Sequence, residues 1–265
     1  MSKVKVRVKF RGILQEREAV ANLDENRIEL QGRHYRVDQL MWDAPISGAV
    51  YGTLFNYKGA LAALGETVYE APYHGEPKAP VLYIKPRNTV IGYGMPIPLP
   101  ADARELEIGA ALGVVMGRTA TRVSEEQALE FVAGYTIVND VSIPHQSFYR
   151  PAIKQKARDG FCPVGPWIVE QDEVLDPDAL GVRVWINGEL RQENTTANLI
   201  RSVSRLIADV TDFMTLYAGD TLLVGVPEGA PVAKAGDHVR IGIDGIGSLE
   251  NTIIHEDELA GGQLL

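Results

Sequence analysis

A chain of 265 residues, 45% hydrophobic and 23% charged, is long enough for one large domain or for a small domain attached to a larger one. A core of that size needs no disulfide or structural metal, and the lone cysteine, Cys162, excludes an intrachain disulfide. Its 26 Lys and Arg against 35 Asp and Glu leave a net charge of −9, which excludes broad binding to nucleic acid or anionic membrane but not a local basic pocket for an anionic substrate.

No apolar run approaches the roughly 20 residues of a membrane helix. The N-terminus alternates charge with apolar residues and does not read as a signal peptide, so a cytoplasmic location is expected. Val4, Val6, Val8 and Phe10 alternate with Lys3, Lys5, Arg7 and Lys9, the pattern of a half-buried strand. A second strand-like segment, 27–37, turns at Gly32. Together these predict a small N-terminal β domain over 1–45, followed by a linker at 44–48 and a larger domain over 46–265.

Strand signals then recur at 50–55, 81–84, 110–115, 135–138, 167–169, 182–186, 221–224 and 239–243. Asn187-Gly188 after an alternating run is a hairpin signal. Two helices are predicted. Ser124 to Gln127 reads as a capping box opening a helix to about Val132, and the apolar residues Ile200 to Tyr217 repeat at helical spacing up to Gly219. Strands and helices do not alternate, so the class is α+β and β-rich rather than doubly wound.

The order of landmarks from Tyr51 onward resembles the fumarylacetoacetate hydrolase superfamily. The segments are 52–57 (GTLFNY), 83–86 (YIKP), 112–117 (LGVVMG), 133–142 (AGYTIVNDVS), 159–167 (DGFCPVGPW), 187–192 (NGELRQ) and 225–227 (GVP). Within it, 84–92 and 147–154 are similar to the N-terminal half of the bifunctional isomerase/decarboxylases of 4-hydroxyphenylacetate (homoprotocatechuate) breakdown. The resemblance implies a mixed β-sandwich roll. It also implies an enzyme subunit that decarboxylates 5-oxopent-3-ene-1,2,5-tricarboxylate and isomerises 2-hydroxyhepta-2,4-diene-1,7-dioate. Its partners would be small anionic dicarboxylates or tricarboxylates and a second subunit, in a homodimer or a hetero-oligomer with a related chain.

The resemblance further implies Mg²⁺ or Mn²⁺, held by two glutamates spaced i, i+2 on one strand and by an aspartate. Here Asp140 takes the aspartate position, while the two glutamate positions fall on Gly109 and Ala111, which carry no ligating group. Glu105 and Glu107 have the right mutual spacing but lie four residues upstream, and they are the ligands of an alternative reading as an acylpyruvate-type hydrolase. Ala60 stands where the family's hydrolases often have a histidine base, and Pro144 and Val226 replace an arginine and a threonine. A third reading is therefore a non-catalytic paralogue that stabilises or regulates an active subunit.

What remains is basic and polar. Lys156 matches the family's active-site lysine, and an ammonium there suits a substrate carboxylate or an enolate oxygen. Lys85, Arg150, Lys154 and Gln192 are candidates for substrate binding, and His145, close after Asp140, is a candidate acid/base group beside Lys156 and Asp140.

Overall fold

The computed structural model describes residues 3–71, 74–145 and 152–259. The chain is strand-rich, and its strands gather mainly into two sheets. The larger has eleven strands, with Ala110–Met116, Val132–Asn139 and Cys162–Glu170 side by side near its middle and all antiparallel. The smaller has five, including Gly181–Ile186, His238–Ile243 and Gly247–His255.

Burial follows the pleat. In Ala110–Met116, Ala110, Leu112, Val114 and Met116 join the large core that also holds Val182, Val184, Ile241 and Ile243 of the smaller sheet. Ala111 and Val115 point the other way, into a second apolar cluster with Val50, Val138, Cys162 and Val164. This central strand is buried on both faces, which is why its sequence is a continuous apolar run.

The N-terminal strands Lys3–Val8, Arg17–Asn22, Arg27–Leu30 and Arg33–Arg36 form an antiparallel meander, of which the sequence pattern predicts the first strand and the last two, joined at Gly32 with φ +75°. This meander is continuous with the large sheet, because Lys3–Val8 pairs antiparallel with Cys162–Glu170. Trp42 fastens the junction. Its ring meets Trp167 edge-on at 6.0 Å and Phe10 at 5.2 Å, and its indole N–H donates to the Val37 carbonyl at 2.7 Å. The segment 44–48, expected as a linker, is packed rather than loose: Ala44 and Ile46 are buried, and Gly48 donates to the Gly219 carbonyl.

The helix expected from Ser124 is instead a 3-10 helix, Glu125–Phe131, and Ser124 makes no side-chain cap bond. The chain must enter the strand Val132–Asn139 directly, and Gly117 N–H already takes the Phe131 carbonyl, so the tighter winding serves the strand entry. The second helix, Val203–Phe213, begins at Ser202, whose hydroxyl accepts from Arg205 N–H. It stops before the predicted end because Met214 is extended and Leu216 bridges to Ala120. The segment Gly242 to Gly247 forms the hairpin between His238–Ile243 and Gly247–His255, with no helix following it. Among the described residues no helix is long and apolar enough to cross a membrane.

Trp42→Ala is expected to cost about 3–5 kcal/mol, as for other buried tryptophans. It should leave one cooperative urea transition, since the N-terminal strands share the main core. Two separated transitions in the wild-type chain would contradict that sharing.

Candidate functional site

The site begins with an inversion of the strand pattern. In Val81–Lys85 the apolar Ile84 is 58% exposed, whereas Lys85 is 2% exposed. Burying an ammonium is tolerable only if every N–H finds an acceptor. Here Nζ of Lys85 donates to the carbonyls of Val141 at 2.7 Å, Phe161 at 2.8 Å and Lys156 at 2.9 Å. Three acceptors at those distances require three N–H groups, so Lys85 is the protonated ammonium. Its counter-charge is Asp140, whose Oδ1 lies 2.8 Å from the same nitrogen.

Asp140 follows the strand Val132–Asn139, and its backbone N–H donates to the Gly109 carbonyl. Its other oxygen, Oδ2, accepts from Nζ of Lys156 at 3.0 Å and from the hydroxyl of Tyr83. Lys156 ends the short helix Ile153–Lys156 and carries its Nζ 4.8 Å above the centre of the Tyr83 ring. Tyr83 and Lys85 sit at i, i+2 and face the same way. Gly52, paired with Tyr83 on the neighbouring strand, makes room for the ring: a Cβ at position 52 would lie 2.0 Å from it.

The electrostatics follow from this packing. Burial alone would raise the Asp140 carboxyl, but the charges of Lys156 and Lys85, with the hydrogen bond from Tyr83, hold it well below the usual carboxylate range. Burial lowers the Lys85 ammonium from its usual value, and the Asp140 charge opposes that shift. The Tyr83 hydroxyl is raised well above the ordinary phenol range by burial and by the neighbouring carboxylate, so it remains a donor at neutral pH. Burial pushes the Cys162 thiol up to about 12, which makes it a packed thiol rather than a nucleophile.

Of the sequence candidates, the fold therefore brings Asp140, Lys85 and Lys156 together. Lys154 points elsewhere, pairing with Asp102 at 3.0 Å beside Arg158 at 2.8 Å. These side chains line a separate surface groove of about 520 Å³ with Pro98, Pro100 and Glu256. Gln192 is buried and ties the 225–228 turn by donating to the Glu228 carbonyl at 2.7 Å. That turn runs beside the strand approach at Gly109, where a Cβ would lie 3.0 Å from a Val226 methyl. His145 is partly buried five residues beyond Asp140, at the end of a described segment, and Arg150 lies outside the described residues. Tyr83 was not among the candidates; its i, i+2 spacing from Lys85 was the available signal.

The donor set for a divalent cation does not fit. Ala111 is fully buried in the second apolar cluster, and a Cβ at Gly109 would lie 2.5 Å from the Asp140 carbonyl oxygen. Both Asp140 oxygens already face ammonium groups. Glu107 approaches the region, exchanging backbone hydrogen bonds with Ser142 and accepting from its hydroxyl at 3.4 Å, while Glu105 is only partly buried upstream. Among the described residues no group of three His, Cys, Asp or Glu side chains is placed to hold a metal ion.

Residues 49–254 match the family model described as Fumarylacetoacetate (FAA) hydrolase C-terminal. The 4-hydroxyphenylacetate degradation bifunctional isomerase/decarboxylase of Escherichia coli is 41% identical over 214 residues, covering 81% of this chain and 49% of that protein. The chain thus spans about half the length of the curated relatives it matches. The crystal structure of 2-hydroxyhepta-2,4-diene-1,7-dioate isomerase from Mycobacterium marinum is 30% identical and aligns over 96% of this chain and 99% of its own, with a TM-score of 0.77. Maleylpyruvate hydrolase from Sphingobium sp. SYK-6, solved with manganese(II) and pyruvate, shares the fold at a TM-score of 0.75 and 24% identity, over 94% of this chain and 99% of its own.

Asp140→Asn would keep the side chain's shape and leave two ammonium groups without their counter-charge. Because the carboxyl lies lower in the folded chain than its unfolded value of about 3.9, its stabilisation is complete above that value and is lost as pH falls through the folded one. The substitution is expected to cost about 3–5 kcal/mol near neutral pH. In urea titrations the cost should shrink as pH is lowered from about 4 towards 2. An equal cost at pH 7 and pH 2 would contradict this.

Proposed function

The chain belongs to the fumarylacetoacetate hydrolase family, and we propose that within it the chain is an isomerase/decarboxylase subunit acting on small unsaturated 2-oxo or 2-hydroxy dicarboxylates and tricarboxylates. The proposed substrates are 5-oxopent-3-ene-1,2,5-tricarboxylate and 2-hydroxyhepta-2,4-diene-1,7-dioate. The names of relatives that match this chain support that choice. The proposed assembly is a homodimer or a hetero-oligomer with a related subunit.

The observation that carries the reading is the Lys156 ammonium, 15% exposed at the rim of the site and tethered to Asp140. The two reactions share one intermediate. When the tricarboxylate loses CO₂ from C2, the bonding pair passes along the conjugated chain to the ketone oxygen and leaves a dienolate. When the 2-hydroxydiene isomerises, loss of the hydroxyl proton leaves the same dienolate, which takes up a proton at carbon to give the 2-oxo-ene product. A cation that stabilises negative charge on that single oxygen assists both. Lys156 has three N–H donors, and Asp140 takes one of them. Lys85 has given its three donors to carbonyl groups, so its part is to fix Asp140 and, through it, Lys156. Hydrolysis is less well served, since Ala60 supplies no base.

One observation favours a second reading, a silent subunit that supports a related one: the chain lacks side-chain ligands at Gly109 and Ala111. The decisive assay follows dienol absorbance and CO₂ release with the purified chain, alone and with its paralogue. Wild-type protein is expected to turn over at least one substrate, and Lys156→Gln to lose about 10²–10³-fold in kcat with its fold intact by circular dichroism. No turnover by the chain alone, with a paralogue whose rate is unchanged by Lys156→Gln, would establish the silent role instead.

A further inference from the structure

We infer that this site operates without a divalent cation, the Lys156 ammonium meeting an anionic substrate and the buried Lys85 ammonium adding its charge from behind Asp140. The inference deepens the functional reading above by naming the source of that charge, but it stands on the donor set and is tested without turnover.

Four observations converge on it. The first is the count of charges. Lys85, Lys156 and Asp140, whose side chains are 0%, 15% and 1% exposed, sum to +1, a surplus that would attract a carboxylate or enolate. A divalent ion placed against Asp140 would raise that surplus to +3, with two ammonium groups already in contact with the same carboxylate.

The second is the state of the carboxylate. Its Oδ1 faces Lys85 at 2.8 Å, and its Oδ2 takes Lys156 at 3.0 Å as well as the Tyr83 hydroxyl. A metal would have to displace Lys156, which also rests on the face of Tyr83. It could not displace Lys85, whose three N–H donors are locked into carbonyls from two separate stretches, Val141 and the Lys156 to Phe161 turn.

The third is steric. The strand approach that would carry further ligands is closed. At Gly109 a Cβ would meet the Asp140 carbonyl oxygen at 2.5 Å, a backbone atom that cannot swing aside. Ala111 lies among apolar side chains, where a carboxylate would itself be buried without a partner.

The fourth concerns what else the chain offers. Among the described residues no three carboxylate, imidazole or thiol groups converge. The residues outside them, 1–2, 72–73, 146–151 and 260–265, include no Asp, Glu, His or Cys in the sequence. Among the described residues Glu107, which accepts from the Ser142 hydroxyl at 3.4 Å, is a further carboxylate beside the Asp140 segment, and a single added oxygen ligand falls well short of the six that Mg²⁺ or Mn²⁺ prefers.

The test uses the full chain and Mn²⁺ as the probe. Electron paramagnetic resonance of free Mn²⁺ should show no stoichiometric binding up to about 1 mM, and the melting temperature should shift by less than about 1 °C between EDTA and millimolar Mn²⁺. Asp140→Asn should lower the melting temperature by the same amount in both solutions. One Mn²⁺ per chain with a Kd below about 100 µM, abolished by Asp140→Asn or by Glu107→Gln, would overturn the inference. So would a fall of several degrees on adding EDTA to wild-type protein. None of these readouts needs substrate, so a chain found inactive on both proposed substrates would defeat the functional reading and leave this result to be decided separately.

Discussion

The Asp140 carboxylate, held between Lys85 on one oxygen and Lys156 and Tyr83 on the other, is the interaction on which the rest of the site depends. Two of these charges are almost wholly out of water, and desolvation of either alone would be prohibitive. The arrangement persists because it is complete: a carboxylate, a tyrosine hydroxyl and three backbone carbonyls satisfy the ammonium groups in a geometry that no solvated loop would hold. It also joins four separate stretches of chain, since Lys85 ends one strand, Asp140 follows a second, Lys156 ends a short helix and Phe161 precedes a third strand. A cluster that fixes four segments at once gives the Lys156 ammonium a defined position, which is what the proposed stabilisation of a transition state would require.

The sheets make that cluster possible. The strand Val81–Lys85 lies at the end of the large sheet, paired to Val50–Leu54, and Gly52 leaves the space into which the Tyr83 ring folds. The central strands lie beyond, buried on both faces, and form a rigid wall from whose end Asp140 projects. Gly109 and Ala111 then acquire a positive meaning. A small residue at 109 lets the Asp140 backbone close against the strand, and one at 111 completes the second apolar cluster. The positions that resemble lost ligands are packing positions in this chain.

Much of the fold was legible in the sequence because its strands alternate or run apolar in lengths that only strands explain. The first strand of the N-terminal meander, its 27–36 hairpin, the hairpin at Asn187-Gly188 and the apolar central strand are of this kind. Strands with weaker patterns were not legible. Arg17–Asn22 mixes charge with alanine, and Gly247–His255 has polar residues at 248, 250, 251 and 252. The 3-10 helix at Glu125–Phe131 carries the sequence of a capping box, but the demands of the following strand decide its winding. At the site, Asp140 and Lys156 could be singled out as candidates by position. The inversion at Ile84 and Lys85 could not be, since nothing local says that three distant carbonyls converge on one ammonium. Lys154 shows the converse: its neighbourhood in sequence suggested a substrate cation, and its side chain turns to Asp102.

In the proposed function an anionic substrate is met by the Lys156 ammonium that Asp140 holds in place. Isothermal titration of the full chain in EDTA with 2-oxoheptanedioate, an unreactive saturated 2-oxo dicarboxylate, tests it most directly. Binding is expected in the absence of metal, weakened at least about tenfold by Lys156→Gln through loss of a charge-assisted hydrogen bond. Binding of equal strength in wild type and Lys156→Gln, or binding that appears only when Mn²⁺ is added, would contradict it.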